Sequence, residues 1–246
     1  MQHIADDFNQ RFVITSLVNE RVVHDNEARK AEHAPGKIYP SSVHKCSREL
    51  CFELLGYEKP QMEPRILKIM DNGNFVHERY QKLWKDMGIL VADEIPIKEE
   101  NLRISGRMDA LLNVENQIAI GEIKSSGNSP FTRMKDANKP DPKFVAQLQL
   151  YMHLANVDLG VIYIENKNDQ DVLEFWITYD EEYCKSLFEK LNTVRKYADD
   201  KKIISRDLAA SLDSFGADEK KLYKGKYTQY AFYCRYCDYR DECYKE

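Results

Sequence analysis

With 43% hydrophobic and 31% charged residues over 246 positions, the chain has the composition of a folded globular protein rather than a disordered one. A formal net charge of −5 argues against a protein that coats nucleic acid through general positive charge, while leaving room for acidic metal ligands and local basic patches. No apolar run reaches membrane-span length and the N-terminus lacks a signal-peptide pattern, so a cytosolic protein is expected.

In chain order, residues 5–32 read as a charged helix. Pro35, Gly36 and Pro40 break the chain, and Ser41 or Ser42 can cap a helix running through Cys46, Leu50 and Leu54 to Gly56. A second helix is expected from about Asn72 to Gly88, carrying Phe75, Val76, Tyr80, Leu83 and Trp84. Residues 89–98, 102–113 and 117–124 read as three strands joined by short turns, hence antiparallel neighbours. Residues 125–142 hold little apolar content and read as a loop or lid containing Arg133, Lys135 and Lys139. A helix over 143–157 follows, then strands at 158–165 and 171–178, a helix over 180–199 and further helix to Leu212. The Tyr-rich tail from Tyr223 to Tyr244 contains Cys234, Cys237 and Cys243. Trp84 and Trp176 are expected in the core, as are Cys51 and Cys184.

The chemistry concentrates at Gly106-Arg-Met-Asp109 and Gln117-Ile-Ala-Ile-Gly-Glu-Ile-Lys124. Alternation puts Ile118, Ile120, Glu122 and Lys124 on one strand face. A carboxylate and an ammonium ending an apolar face are costly to desolvate without compensation. A divalent cation held by Asp109 and Glu122, with Lys124 beside it, would provide that compensation and suits metal-dependent cleavage of a phosphodiester. Asp109, Glu122 and the Ile123 carbonyl are hard oxygen ligands for Mg2+ or Mn2+, and an imidazole from His77 biases the site toward Mn2+. Lys124 could orient the attacking water or stabilise phosphate charge. Gln147 and Tyr151, four apart on one helix face, could hold the substrate backbone or align Lys124.

Each of these signals is weak alone: Glu-x-Lys is common on half-exposed sheets, Gly-x2-Asp is often a turn, and His77 alone suits a satisfied helix histidine. Their order is what matters. Gly73-x3-His77, Gly106-x2-Asp109, Glu122-x-Lys124 and Gln147-x3-Tyr151 together resemble the RecB-like branch of the PD-(D/E)XK nuclease superfamily. Cys46-Ser-Arg48 ahead of these motifs and Cys234-x2-Cys237-x5-Cys243 behind them resemble its iron–sulfur subgroup, which includes the CRISPR-associated RecB-like exonucleases and the AddB nuclease domain. Ser47 stands where that subgroup often has proline.

The resemblance implies an α/β fold: a restriction-endonuclease-like core with a central mixed sheet flanked by helices, and helical N-terminal and Fe–S C-terminal additions. It implies one nuclease domain over 1–246, with a helical part at 1–70, a catalytic core at 71–180 and a Cys-rich part at 181–246. Asp109, Glu122, Lys124, Gln147 and Tyr151 would be catalytic, with His77, Asp109, Glu122 and Ile123 holding Mg2+ or Mn2+. Cys46, Cys234, Cys237 and Cys243 would bind a structural 4Fe–4S cluster, although four thiolates suit zinc equally well. The expected activity is exonuclease action on DNA, single-stranded or with free ends. The resemblance also brings recombination or CRISPR adaptation proteins as partners and leaves the oligomeric state open. A non-catalytic DNA-end-binding scaffold and a sequence-specific endonuclease on the same core are the competing readings.

Overall fold

The computed structural model describes residues 13–32, 36–213, 234 and 237–245. The chain divides into two compact units, one of residues 1–34 and 60–75, the other of residues 35–59 and 76–246. In the first, helix α1 (Val13–Glu32) accompanies the N-terminal half of α3 (Pro64–Asp86), and Lys68 Nζ donates to Asn19 Oδ1 at 3.0 Å. The second carries the chemistry.

Its frame is a five-stranded mixed sheet in sequential order, β1 (Leu90–Glu99), β2 (Ile104–Val114), β3 (Gln117–Ser126), β4 (Leu159–Asn166) and β5 (Val172–Thr178). All neighbours are antiparallel except β3 and β4. That parallel pair needs a long crossover, supplied by α4 (Asn128–Ala137) and α5 (Pro142–Ala155). The three expected strands up to 124 and the two after the crossover are all present. Residues 128–137, expected as loop or lid, are helical instead. Phe131 and Met134 on α4 are buried against the sheet core, and Asn138 closes the helix in the left-handed conformation.

One sheet face packs Ile120, Ile162 and Ile164 against Leu148, Tyr151 and Met152 of α5. The other packs Ala110, Leu112, Ile123 and Val161 against Val76 and Trp84 of α3. Each such aliphatic side chain contributes roughly 1.5–3 kcal/mol when fully buried. Trp84 is core, as expected, but Trp176 is 43% exposed because its position on edge strand β5 lies on the face that α3 leaves uncovered beyond Tyr163.

A third apolar cluster joins α2 (Ser47–Leu55), α5, α6 (Glu181–Asp199) and α7 (Arg206–Leu212), and buries Cys51. Cys184 on α6 is buried too. Helix α2 begins at Ser47, with Cys46 at its N-cap, because Pro40–Ser42 forms a separate 3-10 turn. Its free N–H groups are met from outside: Asp213 accepts from Ser47 N at 3.1 and 3.0 Å and from Ser47 Oγ at 2.6 Å. Gly56, at φ 77°, ends the helix as expected. Helix α3 starts at Pro64 rather than near Asn72, with proline at its first position. The short helix α8 (Arg240–Cys243) is the described remnant of the Tyr-rich tail. Residues 223–233, 235 and 236 of that tail and residues 5–12 of the expected first helix lie outside the described residues.

Candidate active site

Asp109 on β2 and Glu122 on β3 lie on antiparallel neighbours at adjoining register positions, just past the Ala110–Gly121 pair. Asp109 Oδ2 accepts the Ile123 backbone N–H at 2.8 Å, and Oδ1 lies 3.4 Å from His77 Nδ1 on α3. Glu122 is fully buried. Neither of its oxygens accepts a hydrogen bond among the described residues, although Oε1 is ion-paired with Lys124. Burial and the neighbouring Asp109 charge push the Glu122 carboxyl above the usual range, against the pull of Lys124 and His77. Burial also works against charge on Lys124, but Glu122 and Asp109 outweigh it and hold the ammonium above its ordinary value. His77 follows the same logic, with Asp109 overcoming desolvation to raise the imidazole.

From Lys124 a hydrogen-bonded chain runs into the fold. Lys124 Nζ donates to Gln147 Oε1 at 3.1 Å, Gln147 Nε2 donates to the Tyr151 hydroxyl at 3.3 Å, and Tyr151 donates to the Arg107 carbonyl at 2.6 Å. Gln147 and Tyr151 are only 6% and 2% exposed, so this geometry suits aligning Lys124 rather than gripping substrate. Phe144, with its ring centroid 5.4 Å from Lys124 Nζ and 4.8 Å from Lys143 Nζ, adds an aromatic wall.

Among the described residues, no group of three or more His, Cys, Asp and Glu side chains is gathered closely enough to hold a metal ion. Asp109 is turned to Ile123 N and His77, and Glu122 to Lys124. The donor set nevertheless fits a hard divalent cation: two adjacent carboxylates, one with both oxygens buried and without hydrogen bonds.

Two residues here escaped the sequence reading. Gln81, one turn after His77 on α3, donates through Nε2 to the Asp109 carbonyl at 2.8 Å and to Glu94 Oε1 at 3.0 Å. Its four-residue spacing from His77 is a usable signal. Glu94 on β1 also pairs with Arg107 at 3.2 Å and has no sequence signal of its own.

Of the four expected cluster cysteines, Cys46 caps α2 and Cys243 meets Arg48 in its first turn, but among the described residues no three of them gather closely enough to hold a metal ion. Cys243 Sγ accepts from Arg48 Nε at 3.2 Å, Cys237 N donates to Cys234 O at 3.3 Å, and Tyr239 stacks on Phe52 at 5.3 Å. All four are free thiols. Burial, its largest cause, pushes the Cys46 and Cys237 thiols up to about 12. Arg48 is buried, donating to the Ile204 carbonyl at 2.6 Å, which removes it from the surface where it could meet DNA phosphate.

The sequence model of the PD-(D/E)XK nuclease superfamily matches residues 26–244. The chain belongs to that superfamily. Solved structures agree on the fold of this PD-(D/E)XK chain. The protein SSO0001 aligns with a TM-score of 0.53 at 16% identity, covering 95% of this chain and 97% of that one. The alkaline exonuclease LHK-Exo from Laribacter hongkongensis gives 0.51 at 14% identity over 68% and 89%. A phage-related exonuclease from Haemophilus somnus 129PT gives 0.50 at 20% identity over 68% and 96%. A comparison with curated protein sequences found no match. Within the superfamily fold, no helix among the described residues is long and apolar enough to cross a membrane.

Proposed function

We propose that this PD-(D/E)XK chain is a Mg2+- or Mn2+-dependent deoxyribonuclease of the RecB-like iron–sulfur subgroup, a cytoplasmic exonuclease that hydrolyses phosphodiester bonds at DNA ends and prefers single strands. The observation that carries the proposal is the Glu122 carboxylate, fully buried beside Asp109, with Oε1 met by Lys124 and Oε2 accepting no hydrogen bond among the described residues. Lys124 and His77 face the two carboxylates there, yet neither meets the buried Glu122 Oε2, and a divalent cation would complete the site. Asp109, Glu122, the Ile123 carbonyl and His77 would hold a divalent ion, with the imidazole favouring Mn2+. When bound, such an ion supplies charge against the scissile phosphate and acidifies water.

The chain's own groups do the rest. Lys124, kept protonated by its acidic neighbours, orients the attacking water or meets phosphate charge. Gln147 and Tyr151 hold that ammonium in register with β2. The His77 imidazole and the Ile123 N–H fix the two oxygens of Asp109. Cys46, Cys234, Cys237 and Cys243 would ligate the 4Fe–4S cluster, a clamp between α2 and the C-terminal segment. The exonuclease reading rests on the motif resemblance and is supported by the two exonucleases that share the fold, whereas the recombination or CRISPR adaptation partners rest on the resemblance alone. On this reading, residues 1–246 work as one nuclease domain.

The test is degradation of single- and double-stranded DNA with Mn2+, with EDTA, and by Asp109→Ala, Glu122→Ala and Lys124→Ala variants shown to fold. Each variant is expected to lose at least about 100-fold in rate. Undiminished cleavage by these variants, or by the wild type in EDTA, would remove the proposed site. DNA binding that needs no metal and yields no product would favour the scaffold reading.

A further inference from the structure

The β1–β2 ribbon turns over at Asp109. In an even strand residues two apart share a face. Yet Met108 packs in the α5-side cluster, whereas Ala110 packs in the α3-side cluster. The same happens across the ladder. Asp93 pairs with Ala110 and Ile95 with Met108, which puts Glu94 level with Asp109. Glu94 has a φ of 47°, a left-handed conformation inside a strand that strains a residue with a Cβ. This turnover lets one carboxylate reach His77 on α3 and also lie beside Glu122, whose strand neighbour Lys124 bonds to α5. A flat ribbon would commit Asp109 to one face.

Three contacts hold the turnover in place. Gln81 is 8% exposed, and its amide nitrogen bridges the Asp109 carbonyl and Glu94 Oε1. Glu94 Oε2 pairs with Arg107, whose carbonyl anchors the Tyr151 end of the Lys124 chain. The strained residue is thus tied by its side chain to the Arg107 guanidinium on one side of Met108 and, through the Gln81 amide, to the Asp109 carbonyl on the other.

We propose that Gln81 and Glu94 are positioning residues that aim the Asp109 carboxylate by holding the backbone turnover at its position. The proposal rests on Asp109 serving as a metal ligand. The strain at Glu94 is maintained by these bonds, so stability and alignment should separate on substitution. Glu94→Gly accepts the left-handed backbone without strain but removes the carboxylate that ties Gln81 and Arg107 together, leaving Gln81 bonded to the Asp109 carbonyl alone. Gln81→Met removes the bridge at similar volume. Glu94→Gln keeps both the chain length and an oxygen for Gln81 to donate to.

The experiment is calorimetric Mn2+ titration of the full chain, with kcat and KM for DNA and thermal midpoints measured on the same variants. Glu94→Gly and Gln81→Met are expected to weaken Mn2+ binding about tenfold. They should also lower kcat while KM for DNA stays within about twofold. Glu94→Gly should melt no lower than wild type, and Glu94→Gln should recover Mn2+ affinity to within about threefold. A Glu94–Arg107 surface ion pair with no positioning role would move neither affinity nor kcat. Unchanged Mn2+ affinity in folded Glu94→Gly overturns the proposal, whether or not Gln81→Met folds. Asp109→Ala separates the two failures. If that variant loses Mn2+ and cleavage while Glu94→Gly keeps both, only the positioning pair falls. If Asp109→Ala still binds and cleaves, the site assignment falls and takes the pair with it.

Discussion

Glu122 is the residue at which fold and function pull in opposite directions. Its carboxyl is raised by burial and by Asp109, so in the fold it keeps its proton to a higher pH than in the unfolded chain. The sign follows. Where both states are protonated the group costs nothing; as pH rises from the ordinary carboxylate range to the raised folded value, the unfolded chain ionises while the metal-free fold still holds its proton, so stability falls and then levels off. Glu122→Gln is therefore expected to melt above the wild type at neutral and alkaline pH without metal. The gap should close toward pH 4, and thermal melts across pH in EDTA will show it. A divalent ion must displace that proton, so Mn2+ affinity should fall as pH is lowered. The sequence exposed this residue well, because a carboxylate ending Ile118-Ala-Ile120 stands out against its alternation. It gave no sign of Glu94, whose importance lies in a backbone angle and a bridging amide rather than in residue type.

At the scale of elements, the strands were legible because period-2 apolar alternation bounded by turns survives tertiary context. Helix α4 was not. Asn128–Ala137 carries only Phe131 and Met134 toward the core, too sparse a pattern to outweigh its proline and polar residues. The start of α3 was readable in principle from Pro64 at its first position, and the expectation at Asn72 missed it. Gly106 of the Gly-x2-Asp motif reveals its reason only in three dimensions. A Cβ there would lie 2.5 Å from Pro40 Cδ and 2.8 Å from Pro40 Cγ, where the 3-10 turn crosses β2. Because the proline ring cannot swing aside, Gly106→Ala is expected to destabilise the fold by about 1–3 kcal/mol, read by chemical denaturation. An alanine variant as stable as wild type would show that the turn moves freely against β2.

For the molecule as a whole, Arg48 in the first turn of α2 donates to Cys243 and Phe52 of the same helix stacks on Tyr239, which joins α2 to the described C-terminal residues. Asp213, Ser47 and Lys190 brace the Cys46 end through a carboxylate shared by a helix terminus and a buried ammonium. The cluster proposed for Cys46, Cys234, Cys237 and Cys243 would have to draw these cysteines together, and it would then close a long loop, a benefit that grows only slowly with loop length. Protein purified without oxygen is expected to contain about four irons per chain and to absorb broadly near ~400 nm. Cys243→Ser or removal of the iron should lower the thermal midpoint by several degrees, about 1–3 kcal/mol for a chain of this size. Stoichiometric zinc without iron would leave the PD-(D/E)XK core intact and remove the iron–sulfur assignment. The cysteine spacing was visible in the sequence, but the Asp213 brace joins segments far apart along the chain and leaves no local pattern.

The measurement that tests the central claim most directly is a Mn2+ time course on one single-stranded DNA sequence supplied as a linear strand and as a closed circle, with Asp109→Ala run in parallel. The linear strand is expected to shorten progressively and the circle to survive, with no product from Asp109→Ala or in EDTA. Equal destruction of circle and linear strand would contradict end-dependent action, and an intact linear strand under Mn2+ would contradict the nuclease assignment itself.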